Sequence, residues 1–182
     1  MTTIIGVQHE DGCVLLADSR TTDGSGRIYS HASVKKLSEC GPAIVGGSGE
    51  VMPCDITQHI WVAPPLTAKD KKDPFHYMIT KAMPSLRKCL TQHGYNFDEP
   101  SPGENRFQFL IAVDGEIFDV DQDLAVSRVD DGIYAVGSGA PYAIGALHAG
   151  ASIMEAMEIA AKVTAFTAPP YIRMEQKKTA KR

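Results

Sequence analysis

The sequence lacks the features that mark membrane proteins, disulfide-bonded secreted proteins and nucleic-acid-binding proteins. No apolar run among its 182 residues approaches the length of a membrane span, and no signal-peptide pattern follows Met1. The four cysteines form no C-x-x-C pair and show no metal-ligand spacing with histidine, which favours free thiols in a reducing cytoplasm. The net charge is −4, and no basic run is long enough to neutralise a nucleic-acid backbone. We therefore expect a cytoplasmic protein with no membrane and no nucleic-acid partner.

The composition that remains is that of one globular domain. Hydrophobic residues make up 43% of the chain and charged residues 22%, and 182 residues suffice for one domain of ordinary size but not for two. No linker and no internal repeat divides the sequence, so residues 1–182 are expected to form a single domain. The basic cluster near the end of the chain predicts a solvated tail over residues 174–182.

Three Asp-Gly dipeptides, at residues 11–12, 114–115 and 131–132, each separate strand-like apolar runs. Asp-Gly between such runs predicts a β-hairpin, because both turn positions need a positive φ. The runs at residues 13–17 and 109–113 are continuously apolar, which predicts strands that are buried on more than one side.

Helices are predicted in two blocks that follow these hairpins. Apolar spacing and start signals place them at about residues 53–61, 74–92, 141–148 and 152–163. Pro84 is expected to kink or break the second helix, and Ser152 opens the last one with a capping-box pattern. Loops are expected at residues 62–73 and 94–105, and a last strand follows the helices. The pattern favours an α+β fold of two stacked antiparallel sheets with helices outside them.

The start of the chain offers a nucleophile. A small residue after Met1 permits removal of the initiator methionine, which would leave Thr2 with a free α-amine. Because such an amine has a pKa of about 7.7–8.0, it can act as a general base beside the threonine's own hydroxyl. Many chains begin with Met-Thr, so this pattern alone does not define a catalytic site.

Four further motifs follow, at residues 17–22 (ADSRTT), 34–37 (VKKL), 46–49 (GGSG) and 136–143 (VGSGAPYA). In this order and at these distances, the chain from Thr2 to about Thr167 resembles the proteasome β-subunit family, including the peptidase subunit of the bacterial two-component ATP-dependent protease. The resemblance implies the N-terminal nucleophile hydrolase fold, a four-layer α/β/β/α sandwich, with threonine peptidase activity. It also implies a homo-oligomeric ring or double ring that admits unfolded proteins or peptides. An ATP-dependent unfoldase is compatible with it as a partner, and no cofactor is required.

The resemblance assigns catalytic roles to five residues. Thr2 is the nucleophile, Lys36 lowers the pKa of its hydroxyl, and Asp18 keeps Lys36 charged and oriented. Ser138 contacts the Thr2 amine and helps a water molecule to relay the proton. The backbone N–H of Gly49 points into the oxyanion hole.

Substrate contacts follow from the same resemblance. Thr22 and Gly49 bind the peptide backbone as an added strand, a mode with little sequence preference. The pocket for the side chain before the scissile bond is lined by Thr21, Val34, Gly47 and Val51. Since relatives often carry a larger apolar residue in place of Gly47, the sequence predicts a roomier pocket here.

A structural monovalent cation is a further expectation. The carbonyls of Ala161, Thr164 and Thr167 match a cation-binding turn in some relatives. The sequence also departs from the family in two places. A loop extension is predicted at residues 23–26, and residues 166–171 lack the Asp and Ser that many family members place around the nucleophile.

Two other interpretations stay open. The chain can be an amidohydrolase with the same N-terminal nucleophile architecture that acts on a small amide, since a shared fold does not fix the substrate. It can also be a catalytically silent ring subunit that serves as a scaffold. The retained set of Thr2, Asp18 and Lys36 argues against the silent subunit.

Overall fold

The computed structural model describes residues 2–22, 27–30, 35–98 and 107–179, with the backbone alone for residues 29 and 30. Met1, the loop extension at residues 23–26 and the predicted pocket residue Val34 lie outside the described residues. Among the described residues, none of the helices combines the length and the apolar character that crossing a bilayer requires.

Two antiparallel sheets form the centre of the molecule. Across the first sheet the strands follow in the order β10 (Ile133–Gly137), β1 (Thr3–His9), β2 (Gly12–Ala17) and β11 (Ile172–Lys177). Across the second they follow in the order β5 (Leu37–Cys40), β6 (Ala43–Gly49), β7 (Phe107–Val113), β8 (Glu116–Val120) and β9 (Val126–Ser127). A separate ribbon pairs β3 (Arg20–Thr22) with β4 (Ile28–Ser30).

Helices cover the outer face of each sheet. The helical elements are α1 (Val51–His59), a 3-10 turn at Asp70–Lys72, α2 (Pro74–Tyr77), a π-helical segment at Met78–Ala82, α3 (Met83–Gln92), α4 (Ala140–His148) and α5 (Ile153–Val163). One buried cluster joins the five-stranded sheet to α1–α3, a second lies between the sheets, and a third joins the four-stranded sheet to α4 and α5. The predicted α+β sandwich with its four layers is therefore confirmed.

Strand β7 shows why the continuous apolar runs are needed. Phe109 and Ile111 point toward the helices α1–α3, whereas Leu110 and Ala112 point into the space between the sheets. All of these side chains are fully buried, so from Phe109 to Val113 the strand has no solvent face. The prediction of strands that are buried on both sides is confirmed.

The three Asp-Gly dipeptides have three different roles. Asp114 and Gly115, with φ of 51° and 78°, form the predicted turn between β7 and β8. In the first hairpin the turn residues are instead Glu10 and Asp11, because Gly12 already pairs with His9 across the ladder. A Cβ on Gly12 would lie 2.3 Å from the carbonyl oxygen of Gln176, so this glycine serves the close approach of β11.

The third dipeptide does not connect a hairpin. It lies between β9 and β10, which belong to different sheets, so the prediction of a hairpin at residues 131–132 is wrong. Gly132 has a φ of 69° and lets the chain cross between the sheets, and its carbonyl accepts a hydrogen bond from the Gln8 N–H at 2.8 Å.

The helix predictions hold with two adjustments. The first helix begins at Val51 rather than Pro53, and the predicted break near Pro84 is the π-helical segment Met78–Ala82 between α2 and α3. Ser152 caps α5 through the predicted capping box, in which its side chain and that of Glu155 each accept the other's backbone N–H.

The predicted solvated tail is corrected by strand β11. Residues 174–177 pair with β2 as the edge of the first sheet, with Met174 opposite Leu15. The Lys178 N–H donates to the carbonyl of Asp11 at 2.8 Å, and its Nζ donates to Glu116, in β8 of the second sheet, at 2.6 Å. Alternate side chains of β11 are half-buried, a weaker pattern than that of the core strands.

Candidate active site

The beginning of β1 places Thr2 in the interior. Thr2 is buried, and the Ser138 hydroxyl donates to its carbonyl oxygen at 3.4 Å. Gly137 has a φ of 91°, and a Cβ there would lie 2.0 Å from the Thr2 carbonyl oxygen. A glycine is thus required at residue 137 for Ser138 to lie beside Thr2.

The carboxylate of Asp18 lies at the centre of the candidate site. Asp18 is fully buried directly after β2. Its Oδ1 accepts from the Thr3 N–H at 2.8 Å and from Lys36 Nζ at 2.7 Å. Its Oδ2 accepts from the Arg20 N–H at 2.8 Å and from the Ala168 N–H at 3.2 Å. These bonds fix the orientation of the carboxylate and join the beginning of β1 to Lys36.

Lys36 is a buried lysine beside the first residues of the chain. Its Nζ donates to Asp18 and, at 2.6 Å, to the carbonyl oxygen of Arg20. Burial lowers the pKa of Lys36 from its ordinary value of 10.5, and the charge and hydrogen bond of Asp18 oppose that shift. The predicted pairing of Asp18 with Lys36 is therefore present in the structure.

The end of β6 lies on another side of Thr2. Gly49 has a φ of 108° and precedes α1, so the chain turns here in a conformation that favours glycine. The Ser48 hydroxyl is 2.9 Å from the position of a Cβ on Gly137, which places the end of β6 against the Thr2–Gly137 contact. The positive end of the α1 dipole faces this region.

The predicted substrate-binding residues lie on two elements. Thr21 and Thr22 are half-buried in the ribbon strand β3. The Thr22 hydroxyl is buried and has no hydrogen-bond partner among the described residues. Gly47 and Val51 lie in β6 and at the beginning of α1, where Val51 is largely exposed.

The space beside Gly47 is occupied. An ideal Cβ on this glycine would lie 2.8 Å from the Sγ of Cys54 and 3.1 Å from the Phe109 ring. The glycine by itself therefore does not open the roomier pocket that the sequence suggested. Sequence reasoning missed Cys54, because nothing in the sequence pattern places it opposite Gly47.

The segment after α5 also contributes to the site. Besides the bond from Ala168 to Asp18, the Thr3 and Thr167 hydroxyl oxygens lie 2.5 Å apart, and the Ala168 carbonyl accepts from the Ser19 N–H at 3.1 Å. The sequence analysis noted only that an Asp and a Ser are missing from this segment. Its main contribution is a backbone N–H, for which no side-chain signal exists.

The predicted cation-binding turn lies at the C-terminal end of α5. Helix carbonyls lack intrahelical donors there, and the helix dipole is negative. The Arg20 guanidinium donates to the carbonyl of Ala165 at 2.6 Å within this turn. A positive side chain thus already lies in this turn, and a cation held by the carbonyls of Ala161, Thr164 and Thr167 stays a prediction.

No family model and no curated protein matches this sequence. Solved structures do match it. BPH from Thiobacillus denitrificans is 23% identical with a TM-score of 0.72, and the match covers 98% of this chain and 100% of that one. Its complex with epoxomicin gives 24% identity and a TM-score of 0.72 over the same shares. Eukaryotic HslV from Trypanosoma brucei is 21% identical with a TM-score of 0.68, over 96% of this chain and 99% of that one. These similarities establish the fold, which is the proteasome β type of the N-terminal nucleophile hydrolase fold, as the resemblance implied.

Proposed function

We propose that this chain is a threonine-type endopeptidase subunit of a self-compartmentalising ring protease, with Thr2 as nucleophile after removal of Met1. The observation that carries the proposal is the buried pair of Asp18 and Lys36 hydrogen-bonded to the beginning of β1. Burying a lysine charge costs desolvation free energy, and ionisable groups with perturbed pKa values concentrate at active sites.

In the acylation step, the Thr2 hydroxyl oxygen attacks the carbonyl carbon of the scissile peptide bond. The hydroxyl proton passes to the Thr2 α-amine, with the Ser138 hydroxyl and a water molecule as the relay. The backbone N–H of Gly49 donates to the resulting oxyanion. When the C–N bond breaks, the departing amine takes the proton from the ammonium, and an ester on Thr2 remains.

In the deacylation step, water attacks the ester carbonyl and gives a proton to the free α-amine. The C–O bond then breaks, and the threonine oxygen recovers a proton as the carboxylic acid product leaves. The Lys36 ammonium stabilises the negative charge on the Thr2 oxygen in both steps, and Asp18 keeps that ammonium in place.

Assembly and substrate follow from the same proposal. Structures of this fold include HslV and BPH, and the BPH complex with epoxomicin shows that a protein of this fold accepts that compound. We infer a homo-oligomeric ring or double ring in the cytoplasm whose interior admits unfolded chains or peptides. An ATP-dependent unfoldase as partner and a monovalent cation beside α5 are parts of this inference.

The decisive experiment is the intact mass of the purified protein before and after incubation with epoxomicin, a peptide epoxyketone that reacts with both the amine and the hydroxyl of an N-terminal threonine. We expect the loss of one methionine, then one adduct per chain. Thr2→Ala should take no adduct, whereas the matched control Thr91→Ala, at an exposed position on α3, should react as the parent does.

A chain that keeps Met1 and takes no adduct would overturn the proposal, since it would have no free threonine amine, and would favour the silent scaffold. A small-amide hydrolase would instead form the adduct yet cleave amides in preference to peptides. Comparing a ladder of small amides with fluorogenic peptides separates these outcomes.

A further inference from the structure

The hydroxyl groups of Thr3 and Thr167 form a hydrogen bond in the interior beside the candidate site. Thr3 is the first residue of β1, and Thr167 follows the end of α5. Their Oγ1 atoms lie 2.5 Å apart, so one hydroxyl donates to the other. The two residues are 0% and 1% exposed. Because solvent does not reach either residue, a hydroxyl that lost this partner would remain buried at a cost in stability.

The Thr3–Thr167 pair packs directly against the turn that carries Ser138. A Cβ on Gly139 would lie 2.1 Å from Thr3 Oγ1 and 2.9 Å from Thr167 Oγ1. Only a residue without a side chain lets the turn approach the two hydroxyls this closely. The Ser138 hydroxyl, one residue earlier, donates to the Thr2 carbonyl oxygen at 3.4 Å. A displacement of the pair would therefore displace the turn, and Ser138 with it.

The same pair closes a ring of hydrogen bonds around Asp18. The Thr3 N–H donates to Asp18 Oδ1 at 2.8 Å, and the Asp18 N–H donates to the Thr3 carbonyl oxygen at 3.1 Å. The Ala168 N–H donates to Asp18 Oδ2 at 3.2 Å. Thr167 precedes Ala168 in the chain, so its side-chain bond to Thr3 completes the ring. Each bond restricts the groups that make the others, and the main chain that leads from Thr3 to Thr2 is held by the whole ring.

The direction of the Thr3 side chain excludes a direct role in the reaction. Side chains alternate along a strand, and Ile4 points into the space between the sheets whereas Ile5 points toward α4 and α5. Thr3 therefore points toward the helices, where it meets Thr167. Both hydroxyls are excluded from solvent there, so neither can contact a substrate, and the pair can act only through the groups that it holds.

We propose that Thr3 and Thr167 are positioning residues whose hydrogen bond holds the Thr2 main chain and the Ser138 turn in the arrangement that acylation requires. The inference rests on the proposed function, because it concerns how that site is held. Small displacements matter there, since a misplacement of about 1 Å can cost a factor of about 100 in rate. The bond thus contributes to the rate of the chemistry at Thr2 and not to the binding of the peptide.

The test compares Thr167→Val, which removes the hydroxyl and keeps the branched shape, with Thr167→Ser, which keeps the hydroxyl. On a fluorogenic peptide we expect Thr167→Val to lower kcat by about 10–100-fold and to leave KM within about twofold of the parent value. Thr167→Ser should recover most of kcat. Thr57→Val is the matched control, since Thr57 is likewise fully buried and its hydroxyl donates to the Pro53 carbonyl at 2.7 Å within α1. It should lower the Tm and leave kcat as in the parent protein.

The double variant Thr3→Val/Thr167→Val separates positioning from stability. Since it leaves neither hydroxyl of the pair without a partner, its Tm should lie above that of Thr167→Val, whereas its kcat should stay low. Parental kcat in Thr167→Val or in the double variant would overturn the positioning role and leave the peptidase intact, as would a Thr167→Ser variant as slow as Thr167→Val. A parent protein that cleaves no peptide and takes no epoxomicin adduct would instead remove the proposed function, and the positioning role with it.

Discussion

Two aspartates of this molecule each accept a hydrogen bond from a lysine and another from a backbone N–H, yet their surroundings differ. Asp18 and Lys36 lie 2.7 Å apart, with side chains 0% and 6% exposed. Asp70 and Lys81 lie 2.8 Å apart, but the Lys81 side chain is 42% exposed. Both carboxylates are buried, so what separates the pairs is whether the cation has been removed from water.

The two pairs therefore differ in the desolvation free energy that their lysines cost. Removing a lysine charge from water costs several kcal/mol, and the attraction to its partner offsets this only when the geometry is good. A partly exposed pair contributes about 0–1 kcal/mol to stability. Burial lowers the pKa of Lys36, while hydrogen bonds from Lys81 and Thr67 lower the pKa of Asp70 to about 2. Only the first pair removes its cation from water, and the second clamps the loop before α2.

Replacing Asp18 by Asn should give the largest effect. Lys36 would remain buried without its counter-charge, so we expect a loss of about 3–5 kcal/mol in the free energy of unfolding. The misplaced or neutral lysine would also lower kcat by at least about 10²–10³-fold. Urea unfolding and the steady-state rate on a fluorogenic peptide measure the two effects.

Lys36→Met sharpens this result because it removes the buried cation and keeps the Asp18 carboxylate. Asp18 would keep its bonds from the N–H groups of Thr3, Arg20 and Ala168, so we expect more stability than in Asp18→Asn. The activity should still fall as far, because the cation that is proposed to stabilise the Thr2 oxygen would be absent. Full activity in Lys36→Met would show that the pair is structural only.

The pH dependence of kcat/KM should show the titration of two groups, the Thr2 α-amine and the Lys36 side chain. The Thr2 α-amine must be neutral to accept a proton, so activity should rise with pH through about 7.7–8.0. Burial lowers the pKa of Lys36, so its charge and the activity should be lost on an alkaline limb that lies below pH 10.5. A parent protein that has lost Met1 but shows no acid limb would contradict the amine as general base.

Stability should follow the Lys36 titration with the opposite sign to activity. Because the unfolded chain binds the Lys36 proton more strongly than the folded one, the free energy of unfolding should rise as the pH increases from the folded-state pKa toward 10.5. Lys36→Met should lack this rise, and urea unfolding across that range compares the two proteins.

The sequence was sufficient for most of the fold because its signals are local. The turn at Asp114-Gly115, the capping box at Ser152 and the two-sided burial of β7 depend on residues that are close in the chain. The error at residues 131–132 arose because a positive φ at glycine marks a turn of any kind, including a crossing between sheets. Gly12 was assigned to a turn because the approach of β11 comes from far along the chain.

The part of the candidate site that consists of characteristic side chains was predictable from the sequence, and the rest was not. Ser138 contacts Thr2, and Asp18 joins Lys36 to Thr3, because the ordered motifs fix the strands that hold these residues. The N–H of Ala168 has no sequence signal, because every residue but proline provides the same group. The occupation of the Gly47 space by Cys54 depends on how a helix packs on a strand, which the pattern of one sequence does not encode.

Replacing Asp70 by Asn should give the smallest effect, and one confined to stability. The Asp70 carboxylate accepts from Lys81 and from the N–H and hydroxyl of Thr67, so its loss should lower the free energy of unfolding by about 1–2 kcal/mol at neutral pH. Because the folded-state pKa of about 2 lies below the ordinary 3.8, this contribution is present above pH 3.8 and is lost as the pH falls toward 2. The difference between parent and variant should therefore shrink in acid, whereas the exposed control Asp130→Asn should differ little from the parent throughout. A loss of peptidase activity in Asp70→Asn at unchanged stability would break the distinction between the two pairs, since it would tie the outer clamp to the chemistry at Thr2.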